Sequence, residues 1–191
     1  MKRIKIFGLL AAAALFVNAA SAQSDMAMSG DKTVTVGGAP MYPSKNIIEN
    51  AVNSKDHTTL VAAVKAAGLV ETLQGAGPFT VFAPTNEAFN MLPKGTVETL
   101  LKPENKAMLT KILTYHVIAG RLDSKALAEK IKAGNGTAEL QTVSGGKLWA
   151  MMKGPKIVLK DEKGGMSIVT IKNVYQSNGV IHVVDHVVLP K

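Results

Sequence analysis

The sequence predicts an α+β fold, with helices first and a β-sheet or sandwich built largely from strands near the end of the chain. Three observations predict it. Apolar residues recur at helical spacing between Asn46 and Lys132. After Gly136 the texture changes to short β-rich runs separated by turns at Ser144-Gly145-Gly146, Gly154-Pro155, Asp161 to Gly165 and Gln176 to Gly179. The two textures are segregated along the chain, which argues against alternating βαβ units.

Each element follows in order. Ile47, Ile48, Ala51 and Val52 form one helical face. Asp56 is placed to cap a second helix, whose Leu60, Val61, Val64 and Ala67 share a face and which Gly68 stops. Leu69 to Leu73 add a further helical turn, and the β-branched and aromatic run Phe79 to Phe82 reads as a strand. Pro84 breaks that strand and Thr85 caps a short helix from Asn86 to Leu92 that carries Phe89 on its core side. Pro103 and Glu104 open a helix marked by Met108, Leu109, Ile112, Leu113 and His116. Asp123 caps another that runs to about Lys132. The strands expected afterwards are Glu139 to Val143, Lys147 to Met152, Lys156 to Lys160, Ser167 to Tyr175 and Val180 to Leu189.

Ahead of these elements, Lys2, Arg3 and Lys5 precede the apolar run Ile6 to Val17, and Ala20 and Ala22 follow it. That layout predicts a signal peptide over residues 1–22, cleaved before Gln23, because the run is shorter than the roughly 20 residues a bilayer span requires. Residues 23–45, rich in Ser, Gly, Met and Pro, are expected to form a flexible leader to one domain over 46–190. The chain has no cysteine, which removes a lipoprotein anchor, disulfides and thiol chemistry. The expected location is the periplasm or beyond, without a transmembrane anchor.

Removing Lys2, Arg3 and Lys5 takes the formal charge from +8 to +5. The lysines are scattered and lack the aromatic interleaving that stacks on bases, so no nucleic-acid partner is expected, only weak attraction to anionic surfaces.

Catalytic and metal signatures are missing. No serine sits in a G-x-S-x-G elbow, and Gln141 stands where a P-loop would need its first glycine before Gly145-Gly146-Lys147. His182 and His186 invite a metal reading. Placed four apart on a strand, however, they would be about 13 Å apart, too far to share an ion at about 2 Å from each nitrogen. No metal, cofactor or enzyme activity is expected.

Three phrases together resemble the fasciclin (FAS1) domain family. The first runs from Phe79 through Phe82, Pro84 and Thr85 to Phe89. The second is Tyr115-His116, and the third runs from Asn178-Gly179 through His182 and Asp185 to Pro190. Read as residues alone, Asn178-Gly179 is a turn dipeptide favouring positive φ, and His182 is placed to satisfy a buried backbone group.

The resemblance spans about Asn46 to Pro190. It implies a wedge of helices packed on a β-sheet, used for adhesion outside the cytoplasm and needing no cofactor. It also marks Tyr115 and His116 as candidate partner-binding residues, against a packing role read from the apolar face they continue. A second family motif falls on Asn173-Val174, where the family's carboxylate is absent, so integrin-type recognition does not carry over.

The expected function is therefore an exported adhesion or interaction domain that binds a surface, polymer or protein partner. The alternative is a carrier of a small apolar ligand, in a cavity lined by some of Met91, Met108, Met151 and Met152.

Overall fold

A computed structural model describes residues 33–191, so the signal-peptide expectation and the start of the leader lie outside the described residues. The first described element corrects the leader expectation over residues 34–41. Val34–Val36 (β1) and Ala39–Met41 (β2) pair as a hairpin whose two turn residues, Gly37 and Gly38, have φ of +58° and +76°. Positive φ at both central positions suits the right-handed twist of a two-residue hairpin. The glycines that suggested a linker are a turn, and Val36 and Met41 are buried in the core.

Among the described residues seven helices follow, Ile47–Ala51 (α1), Thr58–Ala67 (α2), Val70–Gln74 (α3), Asn86–Asn90 (α4), Thr96–Leu100 (α5), Lys106–Tyr115 (α6) and Ser124–Ala133 (α7), of which all but α5 were expected from the sequence. Thr85 and Asp123 cap α4 and α7, accepting from the Ala88 and Ala126 N–H groups at 3.3 and 2.8 Å. Gly68 ends α2 in the left-handed conformation. Asp56 does not cap α2. It sits in a single 3₁₀ turn, Lys55–His57, that leads directly into the helix.

The sheet has seven strands: Phe79–Pro84 (β3), Val117–Ala119 (β4), Thr137–Gln141 (β5), Lys147–Lys153 (β6), Lys156–Lys160 (β7), Met166–Gln176 (β8) and Gly179–Val184 (β9). Their order is β4-β3-β9-β8-β7-β6-β5. Only β3 and β9 pair in parallel. A bridge between Ile118 and Thr142 brings the two outer strands together, so the sheet nearly closes on itself.

β9 is buried along its whole length and β3 along all but Phe79, as expected for strands covered on both faces. Val81, Ala83, Ile181 and Val183 face a core under α1, α2 and α6. Phe82 and Val184 face a second core inside the curved sheet, capped by Leu127 and Ile131 of α7. The chain is α+β, with helices packed on a sheet formed largely by the C-terminal strands.

The last strand is shorter than expected and ends at Val184. Asp185 takes it off the ladder, because its carboxylate accepts the Ile168 N–H at 2.7 Å in place of a strand neighbour. Among the described residues no helix is long and apolar enough to cross a membrane.

Candidate functional site

The motif residues converge on the interior. Tyr115, the last residue of α6, has no exposed surface. Its hydroxyl donates to the Lys147 carbonyl and accepts from the Glu162 N–H at 3.2 Å, tying the helix to the turns before β6 and after β7. Its ring packs so close to Gly146 that a Cβ there would lie 2.8 Å from Cε2. The glycines of Ser144-Gly145-Gly146 thus divide the work: Gly145 has positive φ, and Gly146 leaves room for the ring. Burial raises the Tyr115 hydroxyl to about 12, so it remains a donor at ordinary pH.

His116 is buried beside it. Nδ1 donates to the Ile112 carbonyl at 2.8 Å and Nε2 accepts the Val188 N–H at 3.2 Å, which holds the C-terminal segment against α6. Both nitrogens are used by a neutral ring, and burial pushes its pKa down to about 4. The partner-contact reading of Tyr115 and His116 does not survive this geometry, since neither presents surface to a partner.

The third phrase is also spent internally. His182 stacks on Phe82, with ring centroids 5.7 Å apart. Its Nε2 donates to the Leu122 carbonyl at 2.8 Å, its Nδ1 accepts the Asn173 N–H at 3.3 Å, and burial lowers its pKa. Both nitrogens of His182 are therefore taken. His186 lies beyond the strand, half-exposed, with Nδ1 2.8 Å from Asp185. Among the described residues no three metal-type ligands cluster.

Asn178 does not have the positive φ read from its dipeptide. It is a three-way clamp instead. Oδ1 accepts the Ile47 N–H at 3.1 Å, while Nδ2 donates to the Leu73 and Gly75 carbonyls at 2.8 Å each. Gly179 answers a close approach, because a Cβ would sit 2.3 Å from the Phe79 carbonyl oxygen across the β3–β9 pair. Phe79 is part-buried at the start of β3, Pro84 closes it, and Phe89 packs in the helix-side core.

Sequence reasoning missed several residues. Asn173 holds a β-bulge in β8 with φ +61°, and its side chain bonds both the Ser124 N–H at 2.7 Å and the Ser124 hydroxyl at 2.8 Å. An asparagine in a long strand run is the one signal of that bulge. Asn50 and Gln176 bond each other in the core, far apart in sequence and with no local pattern to reveal them. His57 is buried with Nδ1 2.8 Å from the Ser54 hydroxyl and Nε2 without a hydrogen-bond partner, and burial lowers its pKa.

The carrier reading loses its lining. Met91, Met108 and Met152 are exposed, and Met151 lies on the outer face of β6. An apolar cavity does run beneath α2, between residues such as Leu60, Val64, Val81 and Ile181. Its volume is about 70 Å³, against the roughly 300 Å³ or more of ligand pockets.

What remains open is the outer face of β5–β8. Cross-strand pairing sets Thr137 beside Met151, Met151 beside Val158, and Val158 beside Ile168. One step along, it sets Glu139 beside Trp149, Trp149 beside Lys160, and Lys160 beside Met166. A depression of about 460 Å³ opens there, lined by Trp149, Met151, Thr137, Lys160 and the Asp161 to Gly164 turn.

The comparisons agree with this architecture. The family model for the fasciclin domain matches residues 55–190. The chain belongs to the fasciclin family. Protein sll1483 of a Synechocystis strain is similar to it at 46% identity over 160 residues, covering 84% of this chain and 82% of the relative. The immunogenic protein MPB70 of Mycobacterium bovis is 34% identical over 145 residues, covering 73% of this chain and 66% of the relative. The pig transforming growth factor-beta-induced protein ig-h3 is 33% identical over 148 residues, which cover 78% of this chain but 20% of the relative. A solved FAS1 domain pair from the insect cell adhesion molecule Fasciclin I shares the fold, with a TM-score of 0.69 at 17% identity over 78% of this chain and 52% of the other. In this fasciclin domain the family phrases hold the fold together, and the outer sheet face is the candidate site.

Proposed function

We propose that this protein is an exported, non-enzymatic adhesion or interaction domain that binds a surface, polymer or protein partner outside the cytoplasm. One observation carries the reading. The polar groups of the family phrases at Tyr115, His116, Asn178 and His182 are each bonded inside the fold, whereas the outer face of β5–β8 offers apolar and cationic side chains to solvent. Buried groups whose hydrogen bonds are already made inside the fold have none left to offer a partner, which favours contact through the surface. The Lys2-Arg3-Lys5 n-region, the apolar run and Ala20-x-Ala22 support export and cleavage before Gln23. The adhesion molecule among its structural relatives supports the interaction role by family.

The test has two readouts. N-terminal sequencing of protein from fractionated cells should find a chain starting at or near Gln23 outside the cytoplasm. The mature chain, immobilised, should retain an envelope component from an extract. Recovery in the cytoplasm with Met1 intact, or no retained component, would overturn the proposal.

A further inference from the structure

The cations of the sheet half of the molecule collect at one end of it. That end is the one α7 covers, with Leu127 and Ile131 turned into the core. At about 100° per residue, this leaves Lys125, Glu129 and Lys132 on the helix face away from the core and Lys130 at its side, all four exposed. The β6–β7 hairpin turns at the same end. From α7 the chain enters β5, where Thr137 pairs with Met151, and two residues beyond Met151 the exposed Lys153 pairs with Lys156 across the hairpin. On the other side of the opening Asn173 of β8 bonds Ser124 at the start of α7, and the exposed Lys172 precedes it.

With every carboxylate of this end counted as ionised, the charge stays positive. Asp123 accepts the Ala126 N–H at 2.8 Å and the Tyr175 hydroxyl at 3.2 Å, which holds its carboxyl below the usual carboxylate range. Glu129 is flanked by Lys125 four residues before it and Lys132 three after it, the spacings that share a helix face. Glu139, further along β5, is bridged to Lys147 at 2.9 Å. Against Asp123 and Glu129 stand Lys125, Lys130, Lys132, Lys153, Lys156 and Lys172, an excess of four positive charges. The helical half contributes little, since residues 33–116 hold seven lysines and six acids.

The kind of cation and its company select the partner. All six are lysines. Recognition of a single carboxylate or phosphate favours the two-pronged guanidinium of arginine, and Arg121 is spent on the Gln176 and Ser177 carbonyls at 3.1 and 3.3 Å. Lysines spread over a protruding end act instead as point charges toward an extended anionic surface. Among them, at the hairpin tip, Met152 and Pro155 are exposed. Met152 lies on the side of β6 that carries Leu148 and Ala150 into the core, yet at the rim it is 44% exposed. An apolar tip beside lysines matches a bilayer interface, which takes apolar groups between headgroups while ammonium groups stay at headgroup level. A hydrated polymer offers no such apolar layer.

We infer that the α7 end of the sheet, led by the β6–β7 hairpin tip, docks the protein on an anionic lipid surface, with Lys132, Lys153 and Lys156 at the headgroups and Met152 at the interface. The inference rests on the interaction-domain reading above and names the surface by its chemistry.

Co-sedimentation of the mature chain with vesicles tests it. In about 0.1 M salt the chain should pellet with vesicles of equal parts phosphatidylglycerol and phosphatidylcholine, and stay in solution with pure phosphatidylcholine. Salt at about 0.5 M should release it, because the Debye length falls to a few ångströms. The Lys132→Glu, Lys153→Glu, Lys156→Glu variant should lose partitioning about a hundredfold or more. The Lys65→Glu, Lys94→Glu, Lys102→Glu variant makes the same change in net charge on the helical half and should lose less than about threefold, because charges beyond a Debye length are screened. All six side chains are exposed, so both variants should keep the parent's urea midpoint. Met152→Ser should weaken partitioning severalfold.

No co-sedimentation, equal partitioning to pure phosphatidylcholine, equal losses in the two triple variants, or indifference to Met152→Ser would overturn the inference. Tighter binding of soluble polygalacturonate than of the anionic vesicles would also overturn it and make the partner a polymer. If the vesicles fail while the wild-type chain still retains an envelope component, the docking assignment falls and the interaction-domain reading stands. If that chain retains nothing and binds no vesicle, both fall.

Discussion

Replacing Tyr115 by alanine perturbs the point where α6, the β5–β6 turn and the β7–β8 turn meet. The ring has no exposed surface, so the substitution deletes a fully packed aromatic, at a cost of about 3–5 kcal/mol. Tyr115→Phe isolates the hydroxyl. It keeps the ring but leaves the Lys147 carbonyl and the Glu162 N–H without their shared partner, and each such buried group left unsatisfied costs about 1–3 kcal/mol. With a urea slope of about 2 kcal/mol per molar, the alanine variant should lose roughly 2 M or more in unfolding midpoint and the phenylalanine variant, which strands two groups, at least roughly 1 M. Gly146 supplies an internal control. Gly146→Ala brings a Cβ to 2.8 Å from the ring and should cost about 1–3 kcal/mol as overpacking, and that cost should largely vanish in the Tyr115→Ala background. An unchanged midpoint for Tyr115→Ala, or costs that add to within about 0.5 kcal/mol, would refute the packing argument.

Two further outcomes follow from the same interior. Burial lowers the pKa of His57, His116 and His182 in the folded state, so the unfolded chain takes up protons first as pH falls. Their contribution is complete above pH about 6.5 and is lost below it. For His116 the loss continues to about pH 4, and at 1.36 kcal/mol per pH unit it amounts to about 3 kcal/mol. Urea midpoints measured across that window should fall less steeply in His116→Gln than in the parent, and equal slopes would show that His116 is not the group responsible. Asn178→Ala should cost about 3 kcal/mol, because it strands the Ile47 N–H and the Leu73 and Gly75 carbonyls together. Asn178→Asp, which retains the acceptor but turns a carboxylate oxygen toward the Leu73 and Gly75 carbonyls, should melt no higher than Asn178→Ala. A melt for Asn178→Ala within a degree of the parent would mean that water replaces the clamp.

Local chemistry was legible from the sequence wherever the signal and its consequence lie within a few residues. The caps at Thr85 and Asp123, the left-handed stop at Gly68 and the strand Lys156–Lys160 are set by short-range hydrogen bonds, backbone sterics and side-chain alternation. The same local reading failed where one pattern serves two structures. Gly37-Gly38 suits a linker as well as a hairpin, and only the burial of Val36 and Met41 decides between them. Asn178-Gly179 suits a positive-φ turn as well as a clamp and a close contact, and only the strand beside it decides.

By itself, then, the sequence determined the α+β class, the order of most elements and membership of the fasciclin family, because periodicity, capping and the three phrases need no knowledge of what lies opposite. Only the tertiary structure decided that β9 inserts beside β3 in parallel, that Tyr115 and His116 face inward, and that Trp149, Lys153, Lys156 and Lys160 share one outward face. Those outcomes depend on register between strands separated by as many as a hundred residues. A shift of one residue exchanges the core side for the solvent side, and the energy that selects the register comes from burying both faces of the central pair at once.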